Sequence, residues 1–196
     1  MQESKTLQRV REMATEVADR EGCFLYDLEL VGQGRGRVLR VYIDKDSTST
    51  PENDSGDPGT GASVDDCANV SRGLGLMLDV EEPLGGEAYE LEVSTPGLER
   101  TLKQTWHFEK AVGQNVQISA NAEIPCPESV QVRKAPKSLT GVLKSADDEA
   151  IELESQDVVW VVPRTLIHKA KIKYVFEHPG ANKPKGNKRQ KKKAKR

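Results

Sequence analysis

Residues 90–100, E-L-E-V-S-T-P-G-L-E-R, form an alternating strand that runs straight into a fixed reversal and ends on an arginine. Leu91 and Val93 point to one face and Glu90 and Glu92 to the other, the period-two pattern of a half-buried strand. Pro96 and Gly97 suit the two central positions of a type II turn. Proline pre-sets φ near about −65°, and glycine takes the positive φ that other residues resist. Such a turn fixes the direction in which Ser94, Thr95, Glu99 and Arg100 face. On local physics alone it is equally a well-made connector, so the rest of the chain decides what it is for.

Upstream, Leu7, Val10, Ala14, Val17 and Ala18 recur at helical spacing over residues 5–21, with Ser4 placed to cap and Gly22 to stop the helix. A strand follows in which Tyr26, Leu28 and Leu30 alternate with Asp27 and Glu29. A Gly/Arg loop at 32–37 leads to a second strand at 38–43, and the pair is expected to form an antiparallel hairpin. Residues 46–62 carry no large apolar side chain and read as a flexible insert. Ser63, Asp65 and Asp66 open a second helix, an N-cap followed by carboxylates at the positive end of the dipole. Cys67, Val70, Ser71, Leu74, Met77 and Leu78 make one face of it, and residues 81–83 end it. The first half therefore reads as an α/β domain, two helices on a small sheet, over residues 1–100.

Beyond it the pattern changes. Trp106, Phe108 and Val112 suit a short helix at 105–112, stopped at Gly113. Strand candidates follow at 115–119, 139–146, 150–155, 158–162 and 172–176. Tight polar connections stand at 147–149 and 156–157, and a long exposed loop spans 123–137. Five short strands in such a span fit a small closed barrel of Sm-like or SH3-like type better than a flat sheet, because closure removes edges. That domain is expected over residues 101–178. The fold class is thus α+β.

The net charge of −2 conceals a large asymmetry. From Lys183 onward the chain holds nine Lys or Arg and no acid; without them, 20 basic residues face 31 acidic ones, a charge of −11. Residues 1–100 account for this deficit, with 10 basic and 21 acidic residues. The chain is an acidic domain, a neutral domain and, over 179–196, a Lys/Arg-rich tail that cannot fold alone and is expected to be disordered. Lys188, Arg189, Lys191, Lys192, Lys193, Lys195 and Arg196 in that tail are candidate RNA contacts. A tail neutralising about 6–10 phosphates adds salt-sensitive attraction without sequence readout.

Chemistry is harder to find. Cys23, Cys67 and Cys126 are few, odd in number and unpaired in spacing, which argues for a reducing, cytoplasmic setting. No apolar run approaches membrane-spanning length and the first residues do not read as a signal peptide. Cys67 sits at a helix start, yet Asp65 and Asp66 beside it and its place on the apolar face favour a small buried thiol. His107, His168 and His178 lack ligand spacing and read as surface or half-buried histidines. Glu90 and Glu92 share a strand face, for which solvation is the plainer account. The loop at 32–36 joins two strands, whereas a dinucleotide fingerprint needs a strand leading into a helix. No catalytic constellation, metal site, cofactor site or small-molecule substrate is expected. Arg35, Arg37 and Arg40 on the hairpin are candidate phosphate contacts, with a solvated hairpin as the plain alternative. Trp160 lies in a hydrophobic run and reads as core.

In their order and spacing, V-L-R-V-Y-I-D (38–44), S-V-D-D-C-A-N-V-S-R (63–72), Leu78-Asp79-Val80 and E-L-E-V-S-T-P-G-L-E-R-T-L (90–102) resemble the ribosome maturation factor RimP family. The likeness covers most of residues 5–178, and in the second half it is mainly one of pattern, as in L-T-G-V-L-K-S-A-D (139–147). The insert at 46–62, the loop at 123–137 and the basic tail depart from it. The resemblance implies a non-catalytic assembly factor, an α/β domain followed by an Sm-like barrel. Such a factor binds the immature small (30S) ribosomal subunit, its rRNA and proteins, and leaves the finished ribosome. It implies a barrel contact with a small-subunit ribosomal protein. An acidic domain suits such a partner, since ribosomal proteins are strongly basic. The docking candidates are Asp65, Asp66, Arg72, Ser94, Thr95, Pro96, Gly97, Glu99 and Arg100, on a monomer. Two rival readings stay open: a general RNA-binding Sm-like module acting on non-ribosomal RNA, and a hydrolase or nuclease using Glu90, Glu92 or Cys67.

Overall fold

The computed structural model describes residues 4–45, 61–86, 88–127 and 134–174, with the side chain of Arg35 left out. Most of the insert at 46–62, part of the loop at 123–137 and the whole basic tail lie outside the described residues. The described residues divide into two compact units, one within residues 1–103 that also takes in 169–171, the other formed by the remainder.

The first unit begins with helix α1 (Lys5–Arg20), capped by Ser4, whose Oγ accepts from the Leu7 N–H at 3.2 Å. Gly22 leaves it at φ +67. Strands β1 (Phe24–Val31) and β2 (Arg37–Asp44) pair antiparallel as expected. A 3-10 turn at Gly34–Gly36 joins them. Gly32 is obligatory there: a Cβ on it would lie 2.2 Å from the Gly36 carbonyl oxygen. Helix α2 (Val64–Glu81) then crosses over to β3 (Tyr89–Ser94), which lies parallel to β2, so the sheet order is β1-β2-β3.

Both helices cover one face of this sheet. Val10, Met13, Val17, Val70, Leu74 and Leu78 close over Leu28, Leu39, Val41 and Ile43. Truncating such a fully buried Leu or Ile to Ala costs about 2–5 kcal/mol. One expected alternation fails. A bulge between Leu25 and Asp27 inserts an extra residue into β1. Leu25 and Leu28 pack on the core, whereas buried Tyr26 is not among the residues that build it. The bulge shifts the side-chain phase, which turns Tyr26 away from Leu28 and Leu30.

The second unit opens with α3 (Thr105–Lys110), shorter than its expected span, followed by a turn to Gly113 at φ +87. His107, expected at or near the surface, is 2% exposed. Its Nδ1 accepts from the Gln104 N–H at 3.3 Å, so it works as an N-terminal cap turned inward. Strands β4 (Asn115–Ala120), β5 (Ser138–Ala146), β6 (Ala150–Ser155), β7 (Val158–Pro163) and β8 (Ile167–Ile172) make a five-stranded sheet in the order β7-β6-β5-β4-β8. The fold is therefore mixed α+β. Among the described residues β7 and β8 are the two edges of this sheet, and no ladder between them closes it.

The last strand lies earlier than expected, at 167–172 and not 172–176, because a 3-10 turn at Arg164–Leu166 sends the chain back at once. Residues 175 and 176 lie outside the description. Gln156 and Asp157 take φ 53 and φ 62, the type I′ geometry of a two-residue hairpin. Asp147 accepts from the N–H groups of Glu149 and Ala150 at 2.8 and 2.7 Å, which closes the β5–β6 reversal. Trp160 is buried, as its run suggests.

Candidate functional site

Asp44 and Lys45, consecutive residues at the end of β2, reach to different parts of the first unit. The Asp44 carboxylate, 4% exposed, accepts from Arg100 Nη1 and from the Lys45 N–H at 3.0 Å. Lys45 Nζ meets Asp66 Oδ1 at 2.7 Å. Asp66 in turn accepts from the Ser63 N–H and Oγ at 2.8 Å, while Ser63 Oγ accepts from the Asp66 N–H at 3.1 Å. This reciprocal pair is a capping box that satisfies donors left open by the first turn of α2. Burial pushes the Asp66 carboxyl up, but Lys45 and Ser63 outweigh it and hold the group below its usual range.

At the expected turn the chain bends at Leu98 and Glu99, just after Pro96 and Gly97. Gly97 takes φ +72, and Arg100 Nε donates to the Gly97 carbonyl at 3.1 Å. The Arg100 guanidinium carbon lies 5.8 Å from the centre of the Tyr26 ring, and the Tyr26 hydroxyl donates to the Thr101 carbonyl at 2.9 Å. Arg100 is therefore a clamp with carboxylate, carbonyl and aromatic contacts. Asp66 and Arg100, far apart in sequence, are both held at one end of β2. Asp65 on α2 and Ser94 and Thr95 beside the turn are exposed, as is Gly97, with Pro96 half-buried, while Glu99 is exposed but meets Lys171 Nζ at 2.6 Å. Asp65 and Arg72 are seven residues apart and share a helix face. Arg72 is exposed and donates to Asn69 Oδ1, and Asn69 donates to Glu21 at 3.0 Å.

The hairpin arginines are placed otherwise. Arg40 stands opposite Glu92 in the β2–β3 register, and its Nε meets Glu92 Oε2 at 2.7 Å. Glu92 thereby serves an ion pair, which removes the geometry of two free carboxylates beside Glu90. Arg37 is half-buried at the start of β2, opposite Tyr89. Arg35 has its backbone in the 3-10 turn; its side chain, like Lys188 and the other tail cations, lies outside the described residues.

Cys67 is half-buried against the core. Burial and the Asp66 charge both push its thiol up, the opposite of an activated nucleophile. Buried Cys23 is pushed up to about 11, chiefly by desolvation. Among the described residues no group of three or more His, Cys, Asp or Glu could hold a metal ion. No described helix is long and apolar enough to cross a membrane.

Sequence reasoning missed the part played by Lys103. Its ammonium reaches Asp27 and Glu29 on β1, and Asp27, 7% exposed, also accepts from the Leu28 N–H at 2.9 Å. Asp27 and Glu29 border a cavity of about 160 Å³ lined also by Tyr26, Tyr42, Pro96, Glu99 and Thr101. No local sequence pattern signals it, because the bulge that turns Tyr26 depends on strand pairing.

Residues 13–99 match the RimP N-terminal domain, a span that runs from within α1 through the Pro96-Gly97 turn. The capped α2, the parallel β2–β3 pair and the Pro96-Gly97 turn thus fall inside one matched unit, and over this span the chain is similar to the RimP N-terminal domain.

Proposed function

We propose that this protein is a non-catalytic, cytoplasmic factor that binds the immature small (30S) ribosomal subunit and promotes its maturation. The observation that carries the reading is the match of residues 13–99 to the RimP N-terminal domain, with Arg100 just beyond it held to Asp44 of β2 while Ser94, Thr95 and Asp65 stay exposed. In this reading the first domain, residues 1–100, docks through Asp65, Asp66, Arg72 and the turn, with the buried members bracing the exposed ones. Residues 101–178 act as an Sm-like barrel domain that makes a second contact, to a ribosomal protein. The strand order, with a 3-10 turn before the last strand, supports that assignment. The tail at 179–196 adds long-range attraction to rRNA. Two modest contacts on linked domains raise avidity while each stays releasable, which suits a monomeric factor that must leave.

Sedimentation of cell extract tests this. The factor is expected to travel with free small subunits; travel with translating ribosomes alone overturns the reading. The rival RNA-binding module predicts tight binding of naked RNA by a chain ending at residue 178, where weak binding is expected here.

A further inference from the structure

The geometry points to the free edge of β7 as a strand-addition site for an extended, basic segment of a partner protein. Among the described residues, nothing pairs with the outer side of β7. The two-residue turn at Gln156 and Asp157 makes Ser155 and Val158 a hydrogen-bonded pair, so Leu153 with Trp160 and Ile151 with Val162 exchange bonds as well. The intervening residues Val159 and Val161 then aim their N–H and C=O groups away from β6, at the open edge. Their side chains are 45% and 52% exposed. One short strand thus offers two unpaired donors, two unpaired acceptors and two β-branched side chains beside them. No Lys or other charge stands on β7 to block an incoming strand, as protected edges have. Pro163, at the next outward position, lacks an N–H and sets the end of the site.

Charge selects the occupant. In the register, Val159 stands beside Glu154 and Val161 beside Glu152, on the outward face. The hairpin around them, residues 147–157, holds six acids and no base; Lys144 meets Glu154 at 2.9 Å and Arg164 lies against Asp147 and Asp148, which leaves the acids in excess. A second copy of β7 would bring two such acidic hairpins together, and RNA would meet the same repulsion. An extended segment with small or β-branched residues alternating with Arg or Lys gains the backbone bonds, the valine contacts and the carboxylates together. This deepens the second contact proposed above and rests on that reading only for which protein supplies the segment.

The probe is a labelled, capped ten-residue peptide of alternating Arg and Val, titrated into the full chain at low salt. Binding is expected, with the Val159 and Val161 amides newly protected from hydrogen exchange. Val161→Pro removes one outward donor and is expected to weaken binding about fivefold to tenfold. Because proline can disturb the strand, the Val159→Lys/Val161→Lys double variant supplies a second test, and it is expected to weaken binding at least as much. The proposal is overturned by equal binding of a peptide N-methylated at alternate amides, by equal protection of the Val159 and Val161 amides with a Glu/Val peptide or a single-stranded RNA ten-mer, either of which the basic tail can hold elsewhere, or by protection away from β7. A dimer of the chain that Val159→Lys/Val161→Lys abolishes also overturns it. The titration contains no ribosomes, so its failure leaves small-subunit docking standing, and loss of co-sedimentation leaves the edge site standing.

Discussion

Arg100 closes on Asp44 across 56 residues of sequence, and the carboxylate it neutralises is almost wholly out of water. Removing the guanidinium leaves a buried charge whose remaining partner among the described residues is the Lys45 N–H. Arg100→Ala is expected to destabilise the first domain by about 2–4 kcal/mol in urea unfolding, and Asp44→Asn in the same chain is expected to recover part of that. Arg100→Ala therefore reports on folding before docking. Arg72→Ala and Asp65→Asn are the cleaner probes of the proposed subunit docking, and both are expected to change folding stability by no more than about 0.5 kcal/mol.

Gly97 stands at positive φ with open space where a Cβ would be. Gly97→Ala is thus expected to cost about 1–2 kcal/mol of backbone strain and no packing, and Gly97→Asn less. Thermal unfolding of the two variants checks the order. Equal stability of Gly97→Ala and the parent would show that the turn is free to change type.

Two glycines should respond with opposite signs. A Cβ on Gly141 would lie 2.3 Å from the Glu154 carbonyl oxygen and 2.9 Å from its carbon, backbone that cannot step aside. Gly141→Ala is expected to cost about 1–3 kcal/mol or more. Gly75, within α2, meets nothing and has no positive φ, so Gly75→Ala is expected to stabilise by about 0.5–1 kcal/mol.

The Lys45–Asp66 pair carries a pH dependence. A carboxyl held below its ordinary value stabilises the fold above its unfolded pKa, about 4, and that contribution fades as pH falls toward the folded value. Asp66→Asn is therefore expected to lower stability by about 1 kcal/mol at pH 7 and by much less at pH 3. Ser63→Ala removes the other half of the capping box and is expected to cost about 1 kcal/mol. Urea unfolding at the two pH values measures the first difference; a gap that widens in acid would reverse the sign.

Local signals were legible. Ser4, Ser63 with Asp66, and Pro96 with Gly97 define their caps and turn through neighbours within three residues; α1 and α2 fall where those signals put them, and the chain bends just after Pro96 and Gly97. Tyr26 was not legible, because a bulge exists only relative to the partner strand. His107 was missed for a related reason: its cap faces inward, and a lone histidine carries no sign of that. In β8 only Ala170 and Ile172 alternate as buried residues, too few to mark a strand among lysines. Of the candidate site, the residue types were readable but their pairing was not, so Arg100 and Asp66 read as surface groups while both are engaged.

The parallel order of β2 and β3 bears on how the protein is made. At about 5–20 residues per second, the 56 residues between Asp44 and Arg100 take about 3–11 s to synthesise. For that interval the nascent hairpin has neither its third strand nor the cation for Asp44, so the carboxylate has reason to stay in water. The first domain can lock only after the codon for Arg100 has been read and its product has left the exit tunnel.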